Sequence, residues 1–278
     1  MVSIIILSYN TKNLLRDCLS SIFSITKNIP FEVILLDNAS SDGSSEMVKN
    51  EFGQVVLIEQ KKNVGFAKGV NTASKTAKGE YLLLVNSDTQ ILEGSIGRMV
   101  DYMQKNEKVG VLGGRLQDPH GTVEKSFGSF PTLFSVLFDQ EKVDKELVGA
   151  QNVDWVNGGF MLLRKSLFVK LGGFDEYFFM YVEDIDFCYR VKKSGYLVAW
   201  LSEALVTHVG QGSSDRSFAI ARIFQGYIYF FKKHKNAVEY TVVRVLLVAK
   251  ACTAILVGLL LGRKELKNTY IKALFSIL

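Results

Sequence analysis

Phe31-Glu-Val-Ile-Leu-Leu-Asp-Asn-Ala-Ser-Ser-Asp-Gly43 is the stretch on which the fold turns. Its apolar run, Phe31 to Leu36, has the length of a strand and stops at a polar cluster that begins with Asp37. A continuous apolar run marks a strand covered on both faces, the habit of parallel sheets. The same pattern recurs on either side. Val2 to Leu7 is an apolar run, Val55 to Ile58 is another, and Tyr81 to Val85 is a fourth that ends in Asn86-Ser87-Asp88. Between the first two runs, Leu14, Leu15, Cys18, Leu19, Ile22 and Phe23 share one face at helical spacing, with Asn10 or Thr11 as N-cap. Helices are predicted over Phe66 to Ala77 and Ile96 to Lys105, and a strand near Val109 to Leu112. Strands alternating with amphipathic helices predict an α/β fold with a central, mostly parallel sheet. Ligands of such sheets sit at the carboxyl ends of strands, where Asp37-Asn38 and Asn86-Ser87-Asp88 fall.

The second half is less regular. It carries Gly-rich turns at Asn157-Gly158-Gly159 and Gly172-Gly173, a predicted helix from Glu183 to Ser194, and a short strand, Leu197 to Leu201, leading to His208. With 278 residues, 48% hydrophobic and only three prolines, the chain can bury a large core, which excludes disorder and low-complexity structure. Cys18, Cys188 and Cys252 lie far apart, without zinc-ligand spacing, and fit a reducing compartment. Met1 to Leu7 has no basic region before it and reads as a first strand rather than a signal peptide. The net charge is +5, and the basic excess is concentrated from Lys232 onward, where only Glu239 and Glu265 are acidic. The rest of the chain is close to neutral, which argues against nucleic acid as a partner.

Several residues have the chemistry of a site. A carboxylate closing a buried strand, as Asp37 does, can accept hydrogen bonds from a nucleobase or ribose; a turn or helix-cap aspartate is the competing reading. Asn63-Val-Gly-Phe-Ala-Lys-Gly-Val-Asn71 places glycines at a helix start with Lys68 in its first turns, a setting for phosphate, although a solvated turn would read the same. Asp88 follows a strand and suits a hard divalent cation, although a lone aspartate there is more often a cap and needs partners. Glu183-Asp184-Ile-Asp186 offers three carboxylates in a predicted first helical turn, where the dipole alone would favour them. An apolar segment precedes them, and burial would raise a carboxyl pKa and suit it to proton transfer. His208 is either structural or the complement of a metal site.

Taken in order, the segments Ser3 to Asn10, Asp37 to Gly43, Asn63 to Asn71, Leu84 to Asp88, Asp154 to Gly159, Gly172 to Glu176 and Phe179 to Arg190, followed by His208, resemble the glycosyltransferases of family 2, with the GT-A fold. Within that family the chain looks most like the bacterial rhamnosyltransferase-like branch, over about residues 2 to 215. The resemblance implies the roles that follow. Tyr9 and Asp37 would line the nucleoside pocket, with Asn63 and Lys68 near the diphosphate. Asp88 matches the last aspartate of the family's DxD metal motif, whose first position is here Asn86. His208 stands where relatives place a histidine ligand. Asp184, beside Glu183, matches the usual catalytic base. Trp155, Asn157, Gly158 and Arg190 would border the sugar and acceptor. An inverting transfer assisted by Mn2+ or Mg2+ follows, with dTDP-rhamnose as the implied donor and a saccharide or lipid-linked saccharide as acceptor. The implied setting is bacterial surface-polysaccharide synthesis.

Two other functions were weighed. A sugar nucleotidyltransferase would carry a Gly-rich basic loop after the first strand, where this chain reads Ser8-Tyr9-Asn10-Thr11. A non-catalytic saccharide-binding module would not need Asp88, Asp184 and His208 together. Val242 to Leu261 has roughly the length of a membrane span, but Arg244 and Lys250 interrupt it. An interfacial helix fits better, with Arg263, Lys264 and Lys267 near lipid phosphates; a helix packed on protein is the alternative. The expected organisation is a catalytic domain over 1–215 and a helical extension over 216–278. The expected place is the cytoplasm, peripheral at the inner face of the cell membrane, with oligomers open.

Overall fold

The computed structural model describes residues 1–26, 29–138, 147–210 and 215–278. The chain opens with β1 (Val2–Ser8), α1 (Lys12–Ile25), β2 (Phe31–Asp37), α2 (Ser44–Glu51), β3 (Val56–Glu59), α3 (Phe66–Ser74), β4 (Tyr81–Asn86) and β5 (Thr89–Ile91). It continues through α4 (Ser95–Lys105), β6 (Val109–Gln117), β7 (Phe127–Gly128), α5 (Leu133–Leu137), β8 (Ala150–Asn152), β9 (Trp155–Val156) and β10 (Phe160–Arg164). It closes with α6 (Lys165–Lys170), α7 (Glu183–Lys193), β11 (Leu197–His208), α8 (Arg216–His234), α9 (Ala237–Leu260) and α10 (Lys264–Phe275).

The residues fall into two compact units: Met1–Ser129, Val143–Tyr177 and Asp184–Ser213 form the first, and Phe130–Lys142, Phe178–Glu183 and Ser214–Leu278 the second. The first holds the sheet, in the order β3-β2-β1-β4-β10-β6-β11-β5, with β8 beside β11. β1, β2, β3 and β4 run parallel, as their largely apolar runs predict. Alternate residues of β1 bury on opposite faces. Val2, Ile4 and Ile6 join Leu15, Cys18, Leu19 and Ile22 of α1 in one core, while Ile5 is buried on the face that α3 covers.

Three features differ from the expectation. β10 lies antiparallel between β4 and β6, because Asn157-Gly158-Gly159 reverses the chain just before it. β11 runs twelve residues rather than five, because a bulge between Leu201 and Leu205 lets the pairing with β6 resume as far as Thr207. α3 stops at Ser74, where the Thr72 and Ala73 carbonyls turn the chain toward β4.

The second unit is helical. Asp215 caps α8 by accepting from the Phe218 N–H, and Asn236 with Glu239 forms a capping box that starts α9. Val243, Leu247, Ala251 and Gly258 recur on the buried side of α9. At Gly258 an added Cβ would come 2.9 Å from the Lys267 amide nitrogen, so α10 can approach α9 only over a glycine. Lys250, one of the two charges that interrupt the apolar stretch of α9, donates from its ammonium to the Val136 carbonyl of α5 at 2.7 Å. Among the described residues, α9 is the one helix long and apolar enough to cross a membrane, by length and composition alone.

Candidate active site

Parallel register sets the site. Ser8 pairs with Asp37 and Leu7 with Asn86, so the ends of β1, β2 and β4 share one edge of the sheet. At this edge Asp37 is buried; its Oδ2 accepts from the Ser40 N–H at 2.9 Å, and its Oδ1 is buried without a hydrogen-bond partner. An orphaned carboxylate oxygen in such a place is an acceptor made for an N–H or O–H donor from a ligand. Asn38 binds the next loop, its Oδ1 accepting from the Val64 N–H and its Nδ2 donating to the Gly65 carbonyl. Asn63 folds that loop by accepting from the Gly65 N–H at 2.9 Å. Asp37, Asn63 and Lys68 are thus tied to one corner, with the Lys68 ammonium exposed and 3.8 Å from Glu176. Tyr9 follows β1 and is half-buried.

The second cluster is assembled by β5 and β11. Their antiparallel pairing sets His208 opposite Thr89, and the Val209 N–H donates to the Asp88 carbonyl. His208 Nε2 then lies 3.4 Å from Asp88 Oδ2, although 120 residues separate them in the sequence. The other ring nitrogen, Nδ1, lies 2.8 Å from Glu124 Oε2. Glu124 was missed by the sequence reading. Asp118 Oδ1 accepts from the His120 and Thr122 N–H groups, folding a tight turn after β6, and the Glu124 N–H returns to the Leu116 carbonyl. The signal available was Asp-Pro-His-Gly, a turn sequence that sends the chain back on itself.

Two carboxylates flanking one imidazole make a slot for positive charge. Hydrogen bonding to Asp88, aided by Glu124, pushes the His208 pKa up to about 9 against the opposing effect of burial. Among the described residues no three of His, Cys, Asp and Glu converge as a ready metal cluster. Asp88 and His208 fit a divalent cation as two of its donors: two ligands at about 2.1 Å from one ion are at most about 4.2 Å apart, and 3.4 Å lies inside that limit. Water and ligand oxygens would complete the shell.

The Asn157-Gly158-Gly159 turn abuts the same edge, the Asn86 N–H donating to the Gly159 carbonyl at 3.0 Å. Asn157 Oδ1 accepts from the Gly159 N–H, which fixes the turn. The Gly158 N–H in turn donates to Asp184 Oδ2 at 3.1 Å, joining the turn to α7. Burial pushes the Asp184 carboxyl above the usual carboxylate range, although the Gly158 and Ile185 N–H groups pull the other way. Glu183 is buried beside it in the chain.

Trp155 and Arg190 are held elsewhere. The Trp155 indole donates to the Ser129 carbonyl at 2.9 Å. The Arg190 guanidinium pairs with Asp186 at 2.8 Å and donates to the Leu171 and Gly173 carbonyls, so it braces the Gly172-Gly173 turn. Within the second unit, Tyr181 and Val182 adopt left-handed backbone with φ of 70° and 73° just before Glu183. Such strain persists only where surroundings enforce it. A Cβ on Gly226 of α8 would come 2.6 Å from the Val182 side chain, so this glycine leaves room for the strained segment.

The nucleotide-binding type of α/β sheet, with its polar edge, defines the class. Residues 3–172 match the model of glycosyl transferase family 2, and the chain belongs to that family. It is a glycosyltransferase of GT-A fold. It is 28% identical over 244 residues to N-acetylglucosaminyl-diphospho-decaprenol L-rhamnosyltransferase of Mycobacterium tuberculosis, covering 77% of this chain and 78% of that one. It is 26% identical to rhamnosyltransferase WbbL of Escherichia coli, covering 78% and 86%. Among solved structures it is similar in fold to the mannosyltransferase PcManGT of Pyrobaculum calidifontis, solved with GDP-Man and Mn2+. There the TM-score is 0.61 at 16% identity, covering 98% of this chain and 85% of that one.

Proposed function

We propose that the protein transfers a sugar, with inversion, from a nucleoside-diphosphate donor to a saccharide hydroxyl. The observation that carries this reading is the approach of Asp88 to one ring nitrogen of His208, with Glu124 on the other, at the same strand edge as the Asp37 corner and the Asp184-bound turn. Asp37 accepts from the base or ribose through its orphaned Oδ1, while Asn63 and Lys68 meet the diphosphate. Asp88 and His208 would hold Mn2+ or Mg2+, with Glu124 orienting the imidazole through its Nδ1. The cation, when bound, supplies charge neutralisation to the departing diphosphate. Asp184 removes the proton from the acceptor hydroxyl as that oxygen attacks the anomeric carbon from the face opposite the leaving group. A raised pKa makes Asp184 a better proton acceptor than an ordinary carboxylate. Asn157 and Gly158 border the sugar, Asn86 lies beside the diphosphate, and Arg190 keeps the neighbouring Gly172-Gly173 turn in place.

The donor we infer is dTDP-rhamnose, supported by two relatives described as rhamnosyltransferases. The acceptor is a lipid-linked saccharide, supported by the decaprenol-linked compound in the name of one of them. Residues 1–215 then act as the catalytic domain. Residues 216–278 hold the enzyme at the cytoplasmic face of the membrane through the exposed apolar end of α9. Incubation with dTDP-rhamnose, Mn2+ and a prenyl-diphosphate-linked N-acetylglucosamine should release dTDP. Release only from a different nucleotide sugar would overturn the donor, and pyrophosphate release would overturn the reaction type.

A further inference from the structure

A cavity of about 720 Å3 lies wholly within the second unit, between the beginnings of α8 and α10. Its basic lining is Arg216, Arg263, Lys264 and Lys272, and its two carboxylates are Asp215 and Glu265. Asp215 is already engaged, accepting from the Ser217 hydroxyl at 2.6 Å and the Phe218 N–H at 2.7 Å. Lys272 is engaged too, donating to Ser217. Arg216, Arg263 and Lys264 have no ion-pair partner among the described residues. Three unpaired cations around one cavity repel each other, and an anion placed between them reverses that cost. Guanidinium groups select phosphate in particular, because their paired N–H donors match its oxygens.

The segment that enters the cavity lining at Arg263 is apolar. Leu259, Leu260 and Leu261 are 59%, 76% and 60% exposed and lead directly into Gly262 and Arg263. Exposed leucines next to unpaired arginines suit a ligand with one apolar and one phosphorylated end. We propose that this cavity is a binding site for a phosphate ester carried on an apolar chain. The proposal rests on the membrane association inferred above and names the group that the second unit grips.

The test uses the full chain, glycerol phosphate as soluble probe, and phosphatidylcholine vesicles with or without phosphatidic acid. One variant combines Arg216→Ala, Arg263→Ala and Lys264→Ala; a charge-matched control combines Lys75→Ala, Lys78→Ala and Lys105→Ala, all exposed in the first unit. A third combines Leu259→Ser, Leu260→Ser and Leu261→Ser. Removing the cavity cations should weaken binding to phosphatidic acid vesicles by roughly a hundredfold, at about fivefold per cation, and abolish glycerol phosphate binding. The control should stay within about fivefold of the wild type. The leucine variant should lose vesicles but keep glycerol phosphate. Equal losses in cavity and control variants would overturn the site. Glycerol phosphate binding at the cavity without any vesicle binding would overturn both the apolar half of the proposal and the membrane reading, leaving a soluble phosphate ester as ligand. Vesicle binding indifferent to the cavity variant would overturn the proposal and leave the membrane reading standing.

Discussion

In the sheet unit Asp37, Asp88 and Asp186 are each less than a tenth exposed, whereas in the helical unit Leu256, Leu259, Leu260 and Leu261 are each more than half exposed. The two units invert the usual placement of polar and apolar groups, for different reasons. A buried carboxylate is tolerated where donors or a ligand await it, and the ends of parallel strands provide such donors from adjacent loops. An exposed leucine is tolerated where the surface it faces is not water. The proposed function assigns chemistry to the first unit and attachment to the second, and each of the following experiments tries to break that assignment.

The largest effect should come from the buried ion pair of the first unit. Arg190→Ala removes the ion-pair partner of the fully buried Asp186 carboxylate and the donors to the Leu171 and Gly173 carbonyls. A loss of about 3–5 kcal/mol in folding stability is expected by chemical denaturation. A stable variant with a raised acceptor KM would instead make Arg190 a substrate contact.

Asp184→Asn should lower kcat by a factor on the order of 10² or more while nucleotide affinity holds, read by nucleoside-diphosphate release and by calorimetry. The pH dependence carries a sign. The base must be ionised, and burial raises its pKa, so kcat should climb with pH through a limb displaced above the ordinary carboxylate range. A limb at the position of an exposed aspartate would move the role to another group.

The cation cluster comes next. Asp88→Ala and His208→Ala should each weaken Mn2+-dependent nucleotide binding by at least about tenfold, and the double variant should be little worse than either. Glu124→Ala should weaken it by about 10–100-fold, because the imidazole loses its orienting partner, with Glu124→Gln intermediate. Additive losses with unchanged metal dependence would reduce all three to structural residues.

The smallest effects belong to the helical unit. Gly258→Ala forces α10 away from α9 and should cost about 1–3 kcal/mol, seen as a lower Tm, while nucleotide affinity in the first unit stays at the wild-type level. Altered nucleotide affinity would show that the two units do not separate chemistry from attachment. Gly226→Ala displaces Val182 from its left-handed conformation and should cost a similar amount of stability.

Much of the fold was legible because burial on both faces leaves an unmistakable mark. Tyr81 to Val85 is an unbroken apolar run, Val2 to Leu7 and Phe31 to Leu36 are broken only by Ser3 and Glu32, and all three became parallel strands. The strand Phe160–Arg164 has the same apolar character, yet nothing in its composition tells which way it runs; only its pairing with β4 and β6 decides that. Asp37 was legible as a candidate because it closes a buried strand, although a turn or cap aspartate reads the same there. Glu124 was not, since a glutamate in a polar turn looks like any solvated side chain until His208 arrives beside it.

The sequence by itself determined the periodicity: which segments bury on two faces, which on one, where strands end in polar clusters, and that basic and apolar residues gather together toward the end of the chain. These are local properties, set by neighbours a few residues apart. Only the tertiary structure decided which ends meet. Asp88 and His208 approach because β5 pairs with the last residues of β11, and Asp184 reaches Gly158 because a backbone N–H of a distant turn is aimed at it. Likewise, the Lys250 ammonium finds a partner within the helical unit because a carbonyl of α5 accepts from it. Contacts of this kind depend on sheet register and helix packing. Both emerge from the summed burial of the whole chain, and no short stretch of residues encodes them alone.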